Sequence, residues 1–394
     1  RQSLYQGLAL PGEHGGQTMA ADLELARSSS DGAVPFGDHD FRRAAGRLQL
    51  RGGQSQTDFF AGVQQKFFGW PNLYTPFGFN ETEDLRTTLY TFNHRAWTSP
   101  ENFCQLGAYY RRNDDDYEFN RAVPGASNPF IHTTQVRALA LDGHQLFGDY
   151  AVTYGAQAMR DSLQSTALTF GRFRTRDYYK VSIVPEREFA TTSGRLRLRA
   201  GIAYDDTNRD DSALSPILEA VLTRPDSFRV YAQYSETTQV ATYTALNSNP
   251  AAGLFRGNAN LGRATSRNLE AGVSFQPAGW KVEAAMFHRW DDELTDWTFT
   301  RGVTARTANA VDIGTLGVEI VATRKTPRYD FVLGYTFLDK DADYGAATID
   351  ASFYALNFAR HRLTAAVTVR LGRGFEVRLD NEFRIQEANF LRAV

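Results

Sequence analysis

Two acidic runs are the residues here best suited to inorganic chemistry. Asp38 and Asp40 stand two apart in GDHDF, and NDDDYEF gathers Asp114, Asp115, Asp116 and Glu118. Carboxylates clustered on loops suit Ca2+, which takes about six to eight oxygen ligands. That makes Asp38, Asp40, Asp114 and Asp116 candidate ligands, although the same runs also describe plain solvated surface. Two polar connections offer recognition without bond-making. Trp70, Tyr74, Phe77 and Asn80 fall in one, and Tyr243, Asn247, Phe255, Asn258 and Asn260 in another. Rigid aromatics bury ligand area at low entropic cost and amides fix orientation, so these residues are the candidate ligand contacts. The competing use of such residues is packing loop against loop.

Catalytic patterns are not found. The seven His are scattered, with no HExxH or paired ligand spacing. No Gly-rich phosphate loop follows a strand, and no GxSxG elbow occurs. Lone Cys104 rules out an internal disulfide and any CxxC metal or redox motif. The chain is expected not to be an enzyme. A net charge of −2 leaves no basic footprint for nucleic acid.

The elements that carry these residues declare themselves by period. In FEVRLDNEFRIQ, Phe375, Val377, Leu379, Phe383 and Ile385 share one parity, broken only by Asn381. Glu376, Arg378, Asp380, Glu382, Arg384 and Gln386 share the other. Period two is a strand, because successive side chains leave opposite faces. The same alternation recurs in GRLRLRAGIAYDD, FRVYAQYSETTQ, YDFVLGYTFLDK and RLTAAVTVRLG. Such runs exceed the five or six residues usual in globular strands and match a tilted membrane crossing.

About eighteen strands follow, at residues 3–10, 18–28, 39–51, 55–68, 83–97, 102–112, 131–141, 147–160, 167–184, 193–205, 214–222, 228–238, 268–276, 280–290, 313–324, 329–338, 357–371 and 375–388. No helix longer than a turn or two is expected. Short turns such as RGGQS, TSPE, DGHQ, QPAG and LGRG alternate mostly with longer polar connections, including 69–82, 113–129, 239–266, 291–311 and 339–355. Short turns on one rim and long loops on the other are the pattern of an outer-membrane barrel.

Mean hydropathy is −0.42, and no apolar run approaches the ~20 residues of a membrane helix. Alternating barrel strands average out as hydrophilic, so this leaves a barrel open. Aromatics make up 13% of the chain, and several sit near strand ends, as in interfacial girdles. RQSLYQGLAL already reads as a strand with no signal peptide before it, so the chain is expected to be mature and to start part-way into its fold. With so many strands the bore is too wide for side chains to fill. The charged parity then meets water or a polar plug instead of an oily core.

On these segments the chain resembles the β-barrel portion of TonB-dependent outer-membrane receptors. SPILEAVLTRPDSFRVYAQYSETTQVATYTALN (215–247) is similar to the family's strand–turn–strand before a long outer loop. GNANLGRATSRNLEAGVSFQPAGWKVEAAMFHRWDDELTDW (257–297) is similar to its most recognisable stretch, with Glu270-Ala271-Gly272 at the strand end. NAVDIGTLGVEIVATRK (309–325) matches the next piece. The resemblance implies a 22-stranded transmembrane antiparallel barrel, with strands two to nineteen in residues 1–394 as a single domain. The N-terminal plug and last strands would lie outside this sequence.

It further implies capture of a scarce ligand, such as a corrinoid or ferric siderophore, at extracellular loops of the bacterial outer membrane. Import would be powered by the TonB complex through the plug, with lipid around the wall and no required cofactor. Asp38 and Asp40 look like the calcium loop of the vitamin B12 receptor type. A passive porin is the competing function.

Overall fold

The computed structural model describes residues 2–14, 16–72, 78–125, 130–170, 174–225, 227–345, 349–352, 358–372 and 374–387. The first strands are β1 (Gln2–His14), β2 (Gln17–Ser30), β3 (His39–Arg51), β4 (Ser55–Pro71) and β5 (Asn80–Ser99). They are followed by β6 (Asn102–Glu118), β7 (Phe130–Phe147), β8 (Tyr150–Ser165), β9 (Thr175–Thr191) and β10 (Gly194–Thr207). Then come β11 (Asp210–Arg224), β12 (Phe228–Val240), the short helix α1 (Tyr243–Asn247), β13 (Phe255–Arg256) and β14 (Arg263–Phe275). The chain continues with β15 (Trp280–Phe299), β16 (Arg306–Lys325), β17 (Tyr329–Asp343), β18 (Ala351–Ser352), β19 (Ala359–Gly372) and β20 (Phe375–Gln386). Each expected strand is matched by one of the longer elements, and β13 and β18 are two-residue additions. The fold class is all-β and antiparallel.

Two compact units divide the chain, the first formed by Arg1–Leu146, Thr153–Ser182 and Tyr204–Ser212. Within it β1 to β7 form an antiparallel meander, each strand paired with the next. The second unit is Phe147–Val152, Ile183–Ala203 and Ala213–Val394. There β11, β12, β14, β15, β16, β17, β19 and β20 pair in that order.

Register carries each strand's apolar parity onto its neighbours. In the second unit Leu333 faces Ala365, Val367 faces Leu379 and Leu363 faces Phe383. The polar parity is equally continuous, with Arg362 beside Arg384 and Thr364 beside Glu382. The apolar side chains stand in the open: Met286 is 58% exposed and Leu379 57%. A buried apolar cluster is correspondingly small, Val311 and Ile313 with Leu294, Ala342 and Tyr344 against them. Rows of exposed large hydrophobics with so little core are what a sheet solvated by lipid requires.

Several strands run further than alternation indicated. β6 continues through the acidic run to Glu118, so the first third of the expected 113–129 loop is strand. β15 and β16 stay paired across most of the expected 291–311 loop, with a register shift between Asp291 and Leu294. These are long-loop ends, where the acidic stretch of β6 is largely polar on both faces and the register shift in β15 interrupts its parity. Ladder hydrogen bonds persist there after the hydrophobic alternation that reveals a strand has faded. Within the expected 239–266 loop, α1 forms because the Thr242 side chain accepts from Ala245 N at 3.2 Å.

Candidate functional site

At the long-loop end of the first unit, Asp38 is bound by Arg121, whose second guanidinium nitrogen lies 3.3 Å from its other oxygen. The Arg121 guanidinium also sits 5.9 Å from the Phe36 ring and 5.7 Å from that of Phe67. The Asp38 carbonyl accepts from Gly69 N at 2.8 Å. Hydrogen bonding from Arg121 holds the Asp38 carboxyl below its usual range, against a smaller opposing effect of burial. Arg121 thus ties two connections and the end of β4 together.

The other acidic candidates are drawn to different partners. Asp40 accepts from Arg42 at 2.6 Å and Arg27 at 3.2 Å. Asp114 accepts from Arg112 at 2.9 Å and from the Thr133 hydroxyl at 2.7 Å. Asp116 stands opposite Asp84 of β5. Among the described residues no group of three or more His, Cys, Asp or Glu side chains is placed to hold a metal ion.

Of the aromatic and amide candidates in this unit, Trp70 is 58% exposed at the end of β4. Asn80 begins β5, where its carbonyl accepts from Arg121 N at 3.0 Å. Tyr74 and Phe77 lie outside the described residues.

In the second unit the 241–262 connection is internally built. Tyr243 and Asn247 are buried in α1, and the Asn247 side chain donates to the Tyr243 carbonyl at 2.9 Å. Asn258 N donates to the Ala245 carbonyl at 2.7 Å, while the Asn258 side chain accepts from Asn260 N at 3.0 Å. These residues shape the loop. Phe255 and Asn260 are exposed, and the Phe255 ring lies 5.1 Å from that of Trp297 in an edge-on contact. The Arg306 guanidinium lies 5.7 Å from Phe255 and 4.7 Å from Phe299.

The structure therefore assembles Phe255, Trp297, Phe299 and Arg306, of which sequence reasoning named only Phe255. The others fall in a segment expected to be loop. Their signal was the alternation of Trp297 and Phe299 in DWTFTRG, which resumes on the other sequence parity after the register shift between Asp291 and Leu294.

Below the loops the polar face is laced by ion pairs between neighbouring strands. In the second unit Glu219 accepts from Arg197 at 3.2 Å and Arg199 at 2.9 Å, and Asp330 binds Arg370 at 2.5 Å. In the first, Asp22 binds Arg47 at 2.8 Å. The Glu270-Ala271-Gly272 element has a packing role on this face. Tyr231 donates its hydroxyl to Glu270 at 2.5 Å, and its ring occupies the space a Cβ on residue 272 would enter, 2.5 Å away. Glycine is required there because a cross-strand ring lies over the backbone. Gly317 is covered by the Phe287 ring in the same way.

A family model described as "TonB dependent receptor-like, beta-barrel" matches residues 28–388. No curated protein matches the sequence. Among solved structures, the siderophore receptor PirA from Pseudomonas aeruginosa is similar at 16% identity and a TM-score of 0.67, over 95% of this chain and 72% of that one. A mutant of the ferric enterobactin receptor PfeA from the same organism is similar at 15% identity and a TM-score of 0.70, over 97% and 65%. The FrpB iron transporter from Neisseria meningitidis is similar at 12% identity and a TM-score of 0.71, over 96% and 66%. The chain thus spans about two thirds of the length of these structures, which at such identities speak for the fold alone. Matched along nearly its whole length, the chain belongs to the TonB-dependent receptor β-barrel family of the Gram-negative outer membrane and is not an enzyme.

Proposed function

We propose that this chain is the wall of an outer-membrane receptor that captures a scarce metal chelate at its extracellular loops and imports it with energy from the TonB complex. The plug through which that energy arrives belongs to the whole receptor. Family membership supports the class of activity. The ligand class rests on one observation, the aromatic and guanidinium group of Phe255, Trp297, Phe299 and Arg306 at the long-loop end of the second unit. Planar rings beside an arginine suit an anionic, aromatic chelate, since the guanidinium pairs with oxygen anions and stacks on rings. A ferric siderophore has that chemistry, and a corrinoid is the competing ligand. The names of the similar structures, a siderophore receptor and an iron transporter, agree with the first.

Calcium at Asp38, Asp40 or Asp114 would have to compete with arginines already bound there. Trp70 and Asn80 remain proposed ligand contacts of the first unit. Uptake of a 55Fe-loaded catecholate siderophore and of labelled cobalamin, in cells expressing the full-length receptor with and without TonB, tests the reading. TonB-dependent accumulation of iron and not of cobalamin is expected. The reverse pattern would assign a corrinoid, and uptake indifferent to TonB would indicate the porin.

A further inference from the structure

The two strands that carry Trp297, Phe299 and Arg306 leave the sheet at one level. Asp292 is the last residue of β15 paired with β14, and Asp312 the last of β16 paired with β17. Beyond them β15 and β16 continue as a two-stranded ribbon, Leu294 to Thr298 opposite Val311 to Thr307. The base of the ribbon is anchored, since buried Asp291 accepts from the Ser266 hydroxyl and pairs with Arg289 at 2.7 Å. The register shift falls between sheet and ribbon, and within it Glu293 has a φ of 52°. Glycine adopts that left-handed conformation freely and other residues rarely do. Glu293 N donates to the Asp312 side chain at 2.7 Å, which ties the bulge to the opposite strand.

Without a bend the open face of the ribbon would look over the bilayer. Residues directly opposite one another share a side of the sheet. Val318 stands opposite Met286 on the lipid side, and counting by twos along β16 reaches Ala308 and Arg306. Trp297 stands opposite Ala308, so it shares that side. The reverse of the ribbon, with Asp296 and Thr298, is buried, whereas Phe255 and Arg306 are exposed.

The edges of the ribbon show that it is turned. β13 belongs to the connection between β12 and β14, on the β15 side, yet it pairs with β16, and Arg306 N donates to the Leu254 carbonyl at 2.7 Å. β18 belongs to the connection between β17 and β19, on the β16 side, yet it pairs with β15. Asp350 N donates to the Phe299 carbonyl at 2.8 Å. Each edge thus meets the connection from the far side, as happens when a ribbon rotates about its own axis. Two-stranded ribbons twist more than wide sheets, and a bulge adds twist locally.

We infer that the bulge at Glu293 is a swivel that turns this ribbon, and that Glu293 is a positioning residue that points Arg306 and its aromatic neighbours away from lipid. Its role in binding rests on the ligand group proposed above, whereas the turn itself rests on the exchanged edges.

The full-length receptor with Cys104→Ser, Arg256→Cys and Thr307→Cys places a cysteine on each side of the β13–β16 pairing, so disulfide yield reads the turn. Equilibrium binding of a ferric catecholate to the receptor without these cysteines reads the positioning. Glu293→Gly keeps the left-handed backbone, and Glu293→Val opposes it through its β-branch. Yield and affinity should stay within about twofold in Glu293→Gly and fall about tenfold in Glu293→Val. A cysteine pair in the sheet below, Ser274→Cys with Glu283→Cys, verifies that each variant is folded. Equal yield at 256 and 307 in the parent and Glu293→Val overturns the swivel. So does a loss in Glu293→Gly as large as in Glu293→Val, because the carboxylate would then be responsible. Lower yield with unchanged affinity overturns the positioning role. Unchanged affinity in Arg306→Gln overturns the ligand group and the positioning role with it, while the disulfide yields still decide the turn.

Discussion

Arg121 binds Asp38 across 83 residues of sequence, linking two connections that the chain visits far apart. Neither residue belongs to a strand, and each is held to a strand by one backbone hydrogen bond, Asp38 to Gly69 of β4 and Arg121 to Asn80 of β5, so the side-chain pair joins two points that the ladders leave separate. Its charge state has a defined pH window. Folding lowers the Asp38 pKa, so the pair contributes in full above the unfolded carboxylate value of about 3.9 and is lost as pH falls through the lower folded value. Amide protection factors, corrected for the intrinsic exchange rate at each pH, are expected to be high in residues 31–38 and 119–125 at pH 7 and to fall below about pH 4. In Asp38→Asn the same amides should be unprotected at both pH values. Protection unchanged by the substitution would remove the pair from this role.

Gly272 is expected to be intolerant of the smallest substitution. A Cβ there would lie 2.5 Å from the Tyr231 ring, so either the ring or the strand must move. Gly272→Ala should cost about 1–3 kcal/mol, as overpacking does, measured by urea unfolding in lipid vesicles. Tyr231→Ala in the same chain should return most of that loss. A neutral single variant would show that the ring is free to leave.

Opposite faces of neighbouring strands should answer differently to the same charge. Met286 lies on the apolar parity of β15, and Ser274 lies on the polar parity of β14 opposite Glu283. Met286→Arg is expected to destabilise by about 2–4 kcal/mol near the bilayer midplane. Ser274→Arg should be close to neutral because it gains a carboxylate neighbour. Equal effects in the same urea assay would contradict the assignment of faces.

Ligand affinity should depend on Arg306 and Phe255. Arg306→Gln is expected to weaken equilibrium binding of a ferric catecholate by at least tenfold, about 1.4 kcal/mol. Phe255→Ala should weaken it less, since Trp297 remains. Asn247→Ala is expected to act through loop order instead, because its side chain closes α1. Unchanged affinity in Arg306→Gln would move the site elsewhere on the loops.

The strands were legible in the sequence because bilayer and water impose opposite demands on alternate residues. β3 begins and ends at His39 and Arg51, as its alternation indicates. Legibility failed where that contrast lapses. Asp114, Asp115 and Asp116 read as loop, yet all three pair within β6, because a strand projecting beyond the bilayer is polar on both faces. The ligand candidates suffered similarly: Tyr243 and Asn247 have the right residue types, but α1 turns them inward. Arg121 gave no local signal at all, since its partner Asp38 lies in another connection.

The assignment of faces in β20 underlies the rest. Spin labels placed one at a time from Glu376 to Ile385, in a Cys104→Ser background of the full-length receptor in outer-membrane vesicles, report contact with lipid or water. Collision with oxygen, which concentrates in hydrocarbon, should peak at Val377, Leu379, Phe383 and Ile385. Collision with a water-soluble nickel chelate should peak at Glu376, Arg378, Asp380 and Glu382. A profile without a two-residue period, or with the two reagents exchanged, would contradict a sheet that meets lipid on one side and water on the other.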